Sequence, residues 1–130
     1  MKRLLLTTAA MEAGAGLALL GLPSRFAQLL FAAPLEGAVA LTVARVGGMG
    51  LLTLAVTAWF ASHDSQSCAA RGLASAMVLY NAGAALVLGV AGLQSARVGI
   101  TLWLVVLVHV GMAVWCVAQL LRTAHPARSS

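Results

Sequence analysis

Four long apolar runs alternate with short polar stretches along the chain, and each run is long enough to cross a bilayer. A helix rises about 1.5 Å per residue, so about 20 apolar residues span a hydrocarbon core of about 30 Å. The pattern predicts an all-α, polytopic membrane protein in which four transmembrane helices form one bundle and a single domain. The predicted spans are residues 4–21, 37–60, 72–93 and 99–121, and a polar tail, residues 122–130, follows them.

A short amphipathic segment separates the first two spans. Pro23 ends the first apolar run, and the segment that follows, residues 24–33, sets four apolar residues against three polar ones: Phe26, Leu29, Leu30 and Phe31 against Ser24, Arg25 and Gln28. Alternation of this kind predicts a short helix that lies in the membrane interface. A re-entrant segment is the alternative.

Polar residues and prolines at the ends of the runs predict how the helices begin. Pro34 suits the first position of the second long helix, and Glu36 suits the positive end of its dipole. In the polar loop that follows, Asp64 or Ser65 can cap the third long helix. Ser95 is the candidate cap of the fourth.

Composition supports a membrane protein and excludes an ordinary soluble domain. Hydrophobic residues make up 62% of the 130 residues and charged residues only 8%, and the mean hydropathy is +0.98. A soluble fold of this size cannot bury that much apolar surface. The chain also has 13 glycines, and small residues let helices approach closely in lipid.

The charge is basic, with a formal net charge of +5, but its distribution argues against a nucleic-acid partner. The basic residues are scattered at helix ends and form no stripe interleaved with aromatic residues. We therefore expect them to set the topology and to contact lipid headgroups. Counting basic residues predicts that both termini are cytoplasmic, and we expect the membrane to be a bacterial-type inner (plasma) membrane, as in the families that the chain resembles (below). One side would carry Lys2, Arg3, Arg71, Arg122 and Arg128, and the other Arg25 and Arg97.

Two charged residues fall inside predicted spans. Glu12 lies nine residues before Gly21, and Arg45 lies eight residues after Gly37, so counting from the helix ends places the two at the same depth. An unpaired charge in the membrane costs several kcal/mol, so each residue has a reason to pair with the other. We interpret the pair as a structural clamp in which Arg45 keeps Glu12 ionised. A role in binding a proton, an ion or a ligand is the alternative.

The other two spans also carry polar residues near their middle. Asn81, with Tyr80 beside it, lies in the third span and His109 in the fourth. Together with Glu12 and Arg45 they form a candidate interior polar site. The plainer alternatives are that Asn81 and Tyr80 hydrogen-bond between helices and that His109 is a satisfied buried imidazole.

Glycines in the spans are candidates for helix packing. Gly16 lies one turn from Glu12 and Gly48 nearly one turn from Arg45, on the faces that would touch if the charges paired. Gly83 is a third packing candidate, and the small-residue face that it forms with Gly89 and Gly92 suggests contact with other membrane subunits or self-association.

No cofactor, metal or catalytic residue is predicted. Cys68 and Cys116 are far apart and form no C-x-x-C motif, so they do not suggest a metal site. Haem would ordinarily need a second axial ligand at the depth of His109, whereas His63 and His125 lie outside the predicted spans.

Two resemblances follow from these residues. The segment AAMEAGAGLALL, with its membrane glutamate Glu12, resembles the first helix of small multidrug resistance transporters, which implies that Glu12 exchanges protons for cationic drugs. The Tyr-Ala-x-Trp type motif of their third helix is missing here. The four helices, the proline-bounded segment and the Ala-Arg-Val-Gly-Gly sequence that contains Arg45 look like small DoxX-like and related uncharacterised bacterial membrane proteins. That resemblance implies a four-helix fold and no particular reaction.

Three classes of function remain open. The first is a structural or accessory membrane subunit without catalytic activity, which the absence of motifs favours. The second is a proton-coupled transporter or small-molecule-binding protein that uses the interior polar site. The third, a membrane enzyme acting on a lipid or quinone with His109 as base, lacks an accompanying nucleophile or metal constellation. A cavity between the interior polar residues would favour the second class over the first.

Overall fold

A computed structural model describes residues 1–95 and 98–124 of the chain, and this part is helical with short connections. Its helices are α1 (Lys2–Gly21), α2 (Pro23–Phe31), α3 (Ala38–His63), α4 (Cys68–Gln94) and α5 (Ile100–Ala124). Within the described residues, four of these helices are long and apolar enough to span a membrane, and α2 is the exception. The predicted all-α bundle of four transmembrane helices with a short helix after the first is therefore confirmed. Most of the predicted polar tail lies outside the described residues.

The start of α4 differs from the prediction. Ser67, and not Asp64 or Ser65, caps this helix, because its Oγ accepts a hydrogen bond of 3.1 Å from the backbone N–H of Ala70. The Ser67 hydroxyl also donates to the carbonyl oxygen of Asp64 at 2.9 Å. The cap therefore closes the polar turn as well as the helix, and α4 begins four residues earlier than the hydrophobic run predicts.

Ser95 ends α4 and does not begin α5. Its backbone N–H and its hydroxyl both donate to the carbonyl oxygen of Ala91, at 3.1 and 2.7 Å. The next helix starts only at Ile100. The predicted cap was wrong because a serine can satisfy the last carbonyl groups of a helix as well as the first amides.

Pro34 and Glu36 lie in the connection between α2 and α3 and not in a helix. The chain leaves α2 through Ala32 in a left-handed conformation, with φ of 55°, and enters α3 through Gly37, with φ of 86°. Glycine adopts positive φ without steric cost, so Gly37 marks the turn where α3 begins. Both predictions of helix-starting residues at this point were therefore wrong by a few positions.

The long helices pack as two pairs. Helix α1 lies along α3, and α4 lies along α5, whereas contacts between the pairs are much less extensive. The pairs meet in a buried cluster formed by Leu4, Met77, Met112 and Cys116. This cluster lies toward the terminal end of the bundle, a name we give to the end that contains Lys2 and Ala124.

The opposite end, which we call the α2 end, is where α1 finishes and α3 begins. Helix α2 contacts α1, α3 and α5 there, and Leu30 is its buried apolar residue besides Pro23. The two helix pairs are thus joined by the buried cluster at the terminal end and by α2 at the other. Between these contacts they leave an unfilled space.

Candidate functional site: a cavity between the helix pairs

The space between the pairs is a cavity of about 500 Å³. Most of its wall is apolar and comes from α1, α2, α3, α4 and α5, so that α2 closes the cavity at its own end of the bundle. Apolar wall residues include Leu19, Phe26, Leu30, Leu51, Leu88 and Val105. Its rim includes the exposed residues Met11, Val87 and Val108. Because exposed apolar side chains on transmembrane helices face lipid, the cavity opens toward the bilayer.

Three polar side chains stand together in this apolar wall: Glu12 from α1, Tyr80 from α4 and His109 from α5. Glu12 is only 7% exposed, and the Tyr80 hydroxyl donates a hydrogen bond of 3.4 Å to its Oε2 atom. The rings of Tyr80 and His109 lie 6.1 Å apart between centroids, tilted by 54°. The structure therefore brings three of the five predicted site residues to one place, and we call this group the polar floor.

The hydrogen bond of His109 determines what its ring can offer to a ligand. Its Nδ1 atom lies 2.8 Å from the carbonyl oxygen of Val105, one turn earlier in α5. A carbonyl oxygen can only accept, so Nδ1 carries the proton in this contact. The other nitrogen, Nε2, is then a hydrogen-bond acceptor whenever the ring is neutral.

The polar floor therefore has more free hydrogen-bond acceptors than free hydrogen-bond donors. The single hydroxyl proton of Tyr80 is directed at Glu12, and the Nδ1 proton of His109 is directed at Val105. The atoms that can still accept a hydrogen bond are the Glu12 carboxyl oxygens, the Tyr80 oxygen and the His109 Nε2 atom. A ligand that reaches this floor is best matched if its polar end donates hydrogen bonds.

Arg45 does not belong to the site, and the predicted ion pair with Glu12 is not formed. Arg45 is exposed. The reason is the register of the antiparallel pair α1–α3, in which Gly48 lies beside Gly16 and the backbone of Leu20. This register puts Arg45 level with the last turn of α1, at least two turns, or about 11 Å, from Glu12 along the axis.

Counting from the helix ends gave the wrong depth because the two helices have different lengths. Helix α1 has 20 residues and α3 has 26, and the first turns of α3 project beyond the end of α1. The expectation that Arg45 keeps Glu12 ionised loses its basis with this correction.

Asn81 is buried close to the site but does not line the cavity. It is 3% exposed, and its Nδ2 atom donates a 2.8 Å hydrogen bond to the carbonyl oxygen of Met77 in the same helix. The interpretation that Asn81 hydrogen-bonds between helices is not supported by this bond, which is local to α4. Its neighbour Tyr80 is the residue that bonds across, from α4 to α1.

Of the predicted packing glycines, Gly16 and Gly48 are in contact and Gly83 is not. A Cβ atom added at Gly16 would lie 2.8 Å from the Gly48 carbonyl oxygen, and one added at Gly48 would lie 2.8 Å from that of Gly16. In the described part of the chain, an added Cβ at Gly83 would meet no atom within 4 Å. The packing glycine of α4 is Gly92, where an added Cβ would lie 2.9 Å from Leu102 of α5.

Sequence reasoning missed the wall residues that α2 supplies. Phe26 and Leu30 are one turn apart on α2 and line the cavity. Their spacing of four residues was the available signal, since it puts both on one helix face. The sequence predicts only that this segment lies in the membrane interface, where a helix ordinarily buries its apolar face in lipid.

Metal-binding groups are scattered across the described residues, where no three His, Cys, Asp or Glu side chains come together to hold an ion. Cys68 is exposed at the start of α4, whereas Cys116 is buried in the cluster that joins the helix pairs.

Comparison with known proteins gives no relative for this chain. It matches no family model, no curated protein and no solved structure. The cavity and its polar floor are therefore the features of this chain that bear on its function.

Proposed function

We propose that this protein binds a small apolar molecule within the membrane and that the polar end of this molecule donates hydrogen bonds to Glu12. The observation that carries the proposal is the cavity of about 500 Å³ with a polar floor. Binding sites for small molecules have volumes of about 300–1,000 Å³ and are mostly apolar with a few placed polar groups. The cavity fits that description.

Its opening toward lipid indicates how the ligand arrives. Met11, Val87 and Val108 at the rim are apolar and exposed, so an amphipathic molecule dissolved in the bilayer meets no polar barrier. Its apolar part would remain between the helix pairs, and its donor group would reach Glu12 and His109.

This function competes with that of a purely structural subunit. A bundle that acts only as a scaffold gains from filling its interior, because close packing maximises the contacts that hold helices together in lipid. Here the two helix pairs are kept apart around a carboxyl group, a phenol and an imidazole. That arrangement favours a binding function over a scaffold.

The test uses three ligands that differ only in their polar group: phenylpropylamine, phenylpropanol and phenylpropionate. We expect the amine and the alcohol to raise the thermal midpoint of the purified protein in detergent and the carboxylate to leave it unchanged. At about ten times Kd, binding adds about 1.4 kcal/mol to the free energy of unfolding. Glu12→Gln should weaken the effect of the amine most, since it removes the oxygen charge that an ammonium group prefers.

A matched pair of variants tests the location. Ala84 lines the cavity, whereas Ala82 is exposed on the same helix and does not line it. Ala84→Phe should abolish the response to both donor ligands, and Ala82→Phe should preserve it. Equal responses of the two variants, or equal stabilisation by all three ligands, would disprove binding at the polar floor.

The separation of Glu12 from Arg45 favours a second function, proton-coupled transport. A coupling carboxyl group must exchange a proton for its substrate, and no Lys or Arg side chain of the described residues lies beside Glu12 to keep it ionised. Its described partner is the Tyr80 hydroxyl, which can donate to either protonation state of the carboxyl group. We expect phenylpropylamine to release protons from the wild type, but not from Glu12→Gln, in a weakly buffered solution. Binding without proton release would reject transport and leave the binding function standing.

We further propose that the protein resides in a bacterial-type inner membrane with both termini cytoplasmic. The terminal end carries four described basic residues, Lys2, Arg3, Arg71 and Arg122, and the α2 end carries Arg25 and Arg45. The Nη1 atom of Arg71 donates to the carbonyl oxygen of Thr123 at 3.5 Å, so the start of α4 and the end of α5 lie side by side. The excess of basic residues at this end supports a cytoplasmic location for it.

A further inference from the structure

A second concave surface lies on the outside of the α1–α3 pair, and it shares no lining residue with the cavity. It is an apolar groove of about 570 Å³. Small side chains of α1, including Ala10 and Ala13, form one part of it, and larger side chains of α3, including Leu52, Val56 and Trp59, form another. We call it the outer groove.

Arg45 lies on the same face of α3 as the outer groove. The positions Arg45, Met49, Leu52 and Val56 follow one another at intervals of four, three and four residues, which keeps them on one side of a helix. Met49 is exposed and occupies the position between the charge and the groove. This face of α3 is therefore a continuous stripe. The guanidinium group of Arg45 lies at its N-terminal end, and the apolar groove begins two turns further along the helix.

The length of this stripe matches one leaflet of a bilayer. Arg45 and Val56 are eleven residues apart, which corresponds to about 16 Å along a helix. Half of a hydrocarbon core of about 30 Å is about 15 Å. From Arg45 to Val56 the stripe therefore covers about one leaflet, and the groove continues about 6 Å further along α3, to Phe60.

The depth and direction of Arg45 also point to the headgroups. It lies level with the last turn of α1, as the contact between Gly16 and Gly48 requires. Side chains on a helix tilt toward its N-terminus, which for α3 is the α2 end. Arginine side chains near the end of a span extend toward the interface in this way.

In the part of the chain that the structure describes, no carboxylate side chain forms an ion pair with Arg45. The chain has only three acidic residues. Glu12 is buried two or more turns deeper, Glu36 lies nine residues before Arg45, and Asp64 follows α3 at the other end. A second copy in the same orientation would bring its acidic residues to the same depths, so it would not supply a carboxylate at the level of Arg45.

We infer that the outer groove and Arg45 together bind one phospholipid of the leaflet at the α2 end. The guanidinium group donates hydrogen bonds to the lipid phosphate, a geometry for which its planar fork is suited. One acyl chain then runs past Met49 into the groove between α1 and α3.

The dimensions of the groove favour an acyl chain over a helix of a partner protein. A helix segment about 16 Å long and about 10 Å in diameter occupies about 1,200 Å³. The groove offers about 570 Å³, and its buried lining residues, Ala9 and Ala55, are alanines. A single extended hydrocarbon chain fits such a space, whereas a helix would rest on its edges.

The experiment is native mass spectrometry of the purified full chain in mild detergent with added phosphatidylglycerol. We expect one lipid to remain bound to the wild type and its apparent affinity to fall about fivefold in Arg45→Gln, which corresponds to the contribution of about 1 kcal/mol for a basic residue near a lipid surface. Arg45→Lys should recover part of the loss, because it retains the charge without the bidentate geometry. Circular dichroism of Arg45→Gln should match the wild type, since an exposed side chain is changed.

Two matched controls locate the lipid. Ala10 is exposed and lines the groove, so Ala10→Phe should fill it and reduce lipid retention, whereas Ala76→Phe, at an exposed position of α4 outside the groove, should not. Arg122→Gln removes an exposed charge at the terminal end and should also leave retention unchanged. Retention that is insensitive to Arg45→Gln, or reduced equally by Arg122→Gln, would overturn the inference. So would a protein that copurifies with the wild type in stoichiometric amount and is lost in Arg45→Gln.

Discussion

The contact between Gly16 and Gly48 allows a sharp test of how the α1–α3 pair is held together. The variant is Gly48→Ala, which adds one methyl group. That methyl carbon would lie 2.8 Å from the carbonyl oxygen of Gly16 and 2.9 Å from the backbone nitrogen of Leu20. Both neighbours are backbone atoms, so the clash cannot be relieved by rotating a side chain, and the helices must move apart.

The neighbouring glycine provides the control. A Cβ atom added at Gly47 meets no atom of the described residues within 4 Å, so Gly47→Ala carries only the higher helix propensity of alanine, up to about 1 kcal/mol in favour of folding. Gly48→Ala gains the same propensity but adds an overpacking cost of about 1–3 kcal/mol. Since the propensity terms cancel, the two variants should differ by about 1–3 kcal/mol in free energy of unfolding.

The assay is unfolding of the purified protein in mixed micelles, followed by circular dichroism as the denaturing detergent is increased. Gly47→Ala should unfold at or above the detergent fraction required for the wild type, and Gly48→Ala below it. Gly16→Ala should resemble Gly48→Ala, because its added Cβ would meet the Gly48 carbonyl oxygen at 2.8 Å. If Gly47→Ala and Gly48→Ala unfold together within about 0.5 kcal/mol, the close backbone contact does not exist and the register of α1 against α3 is wrong.

Three further outcomes follow from the structure. The changes in free energy of unfolding caused by Glu12→Gln and Arg45→Gln should add within about 0.5 kcal/mol, since the two side chains lie at different depths. A larger coupling energy would show that the two side chains do form an ion pair. A membrane-impermeant maleimide should label Cys68, which is exposed, only after the cells are opened, and labelling of intact cells would reverse the proposed topology. Ser67→Ala should cost about 1 kcal/mol of stability through loss of the α4 cap, whereas Ser65→Ala should cost little, and equal effects would argue against the hydrogen bond that the Ser67 Oγ atom accepts from Ala70.

The fold could be predicted from the sequence because membrane insertion depends on run length. Each span needs about 20 apolar residues whatever its packing partners are, and the four runs were visible without any tertiary information. The residues that cap the helices were harder to predict from the sequence. Ser65 and Ser67 are chemically equivalent, and which of them caps α4 depends on where the polar turn closes on Asp64.

The candidate site could be predicted only in part. Glu12, Tyr80 and His109 are polar residues inside apolar runs, and that local signal is sufficient to suggest an interior position. Arg45 gave the same signal but is exposed, because its depth depends on how far α3 projects beyond α1. Apart from the spacing of Phe26 and Leu30 on α2, the apolar cavity wall gave no signal, since a leucine that lines a cavity and one that faces lipid look alike in a sequence.

The division of the bundle into two helix pairs also bears on how the protein is made. Helices α1 and α3 complete their closest backbone contact, at Gly16 and Gly48, without any residue of α4 or α5. The first half of the chain can therefore settle in the membrane while the ribosome is still translating the second. The polar floor cannot form at that stage, because Tyr80 and His109 come from the second half. A chain released early would insert and pair its first helices but would lack two of the three polar side chains of the floor, so the proposed binding site would be completed only with the last helix.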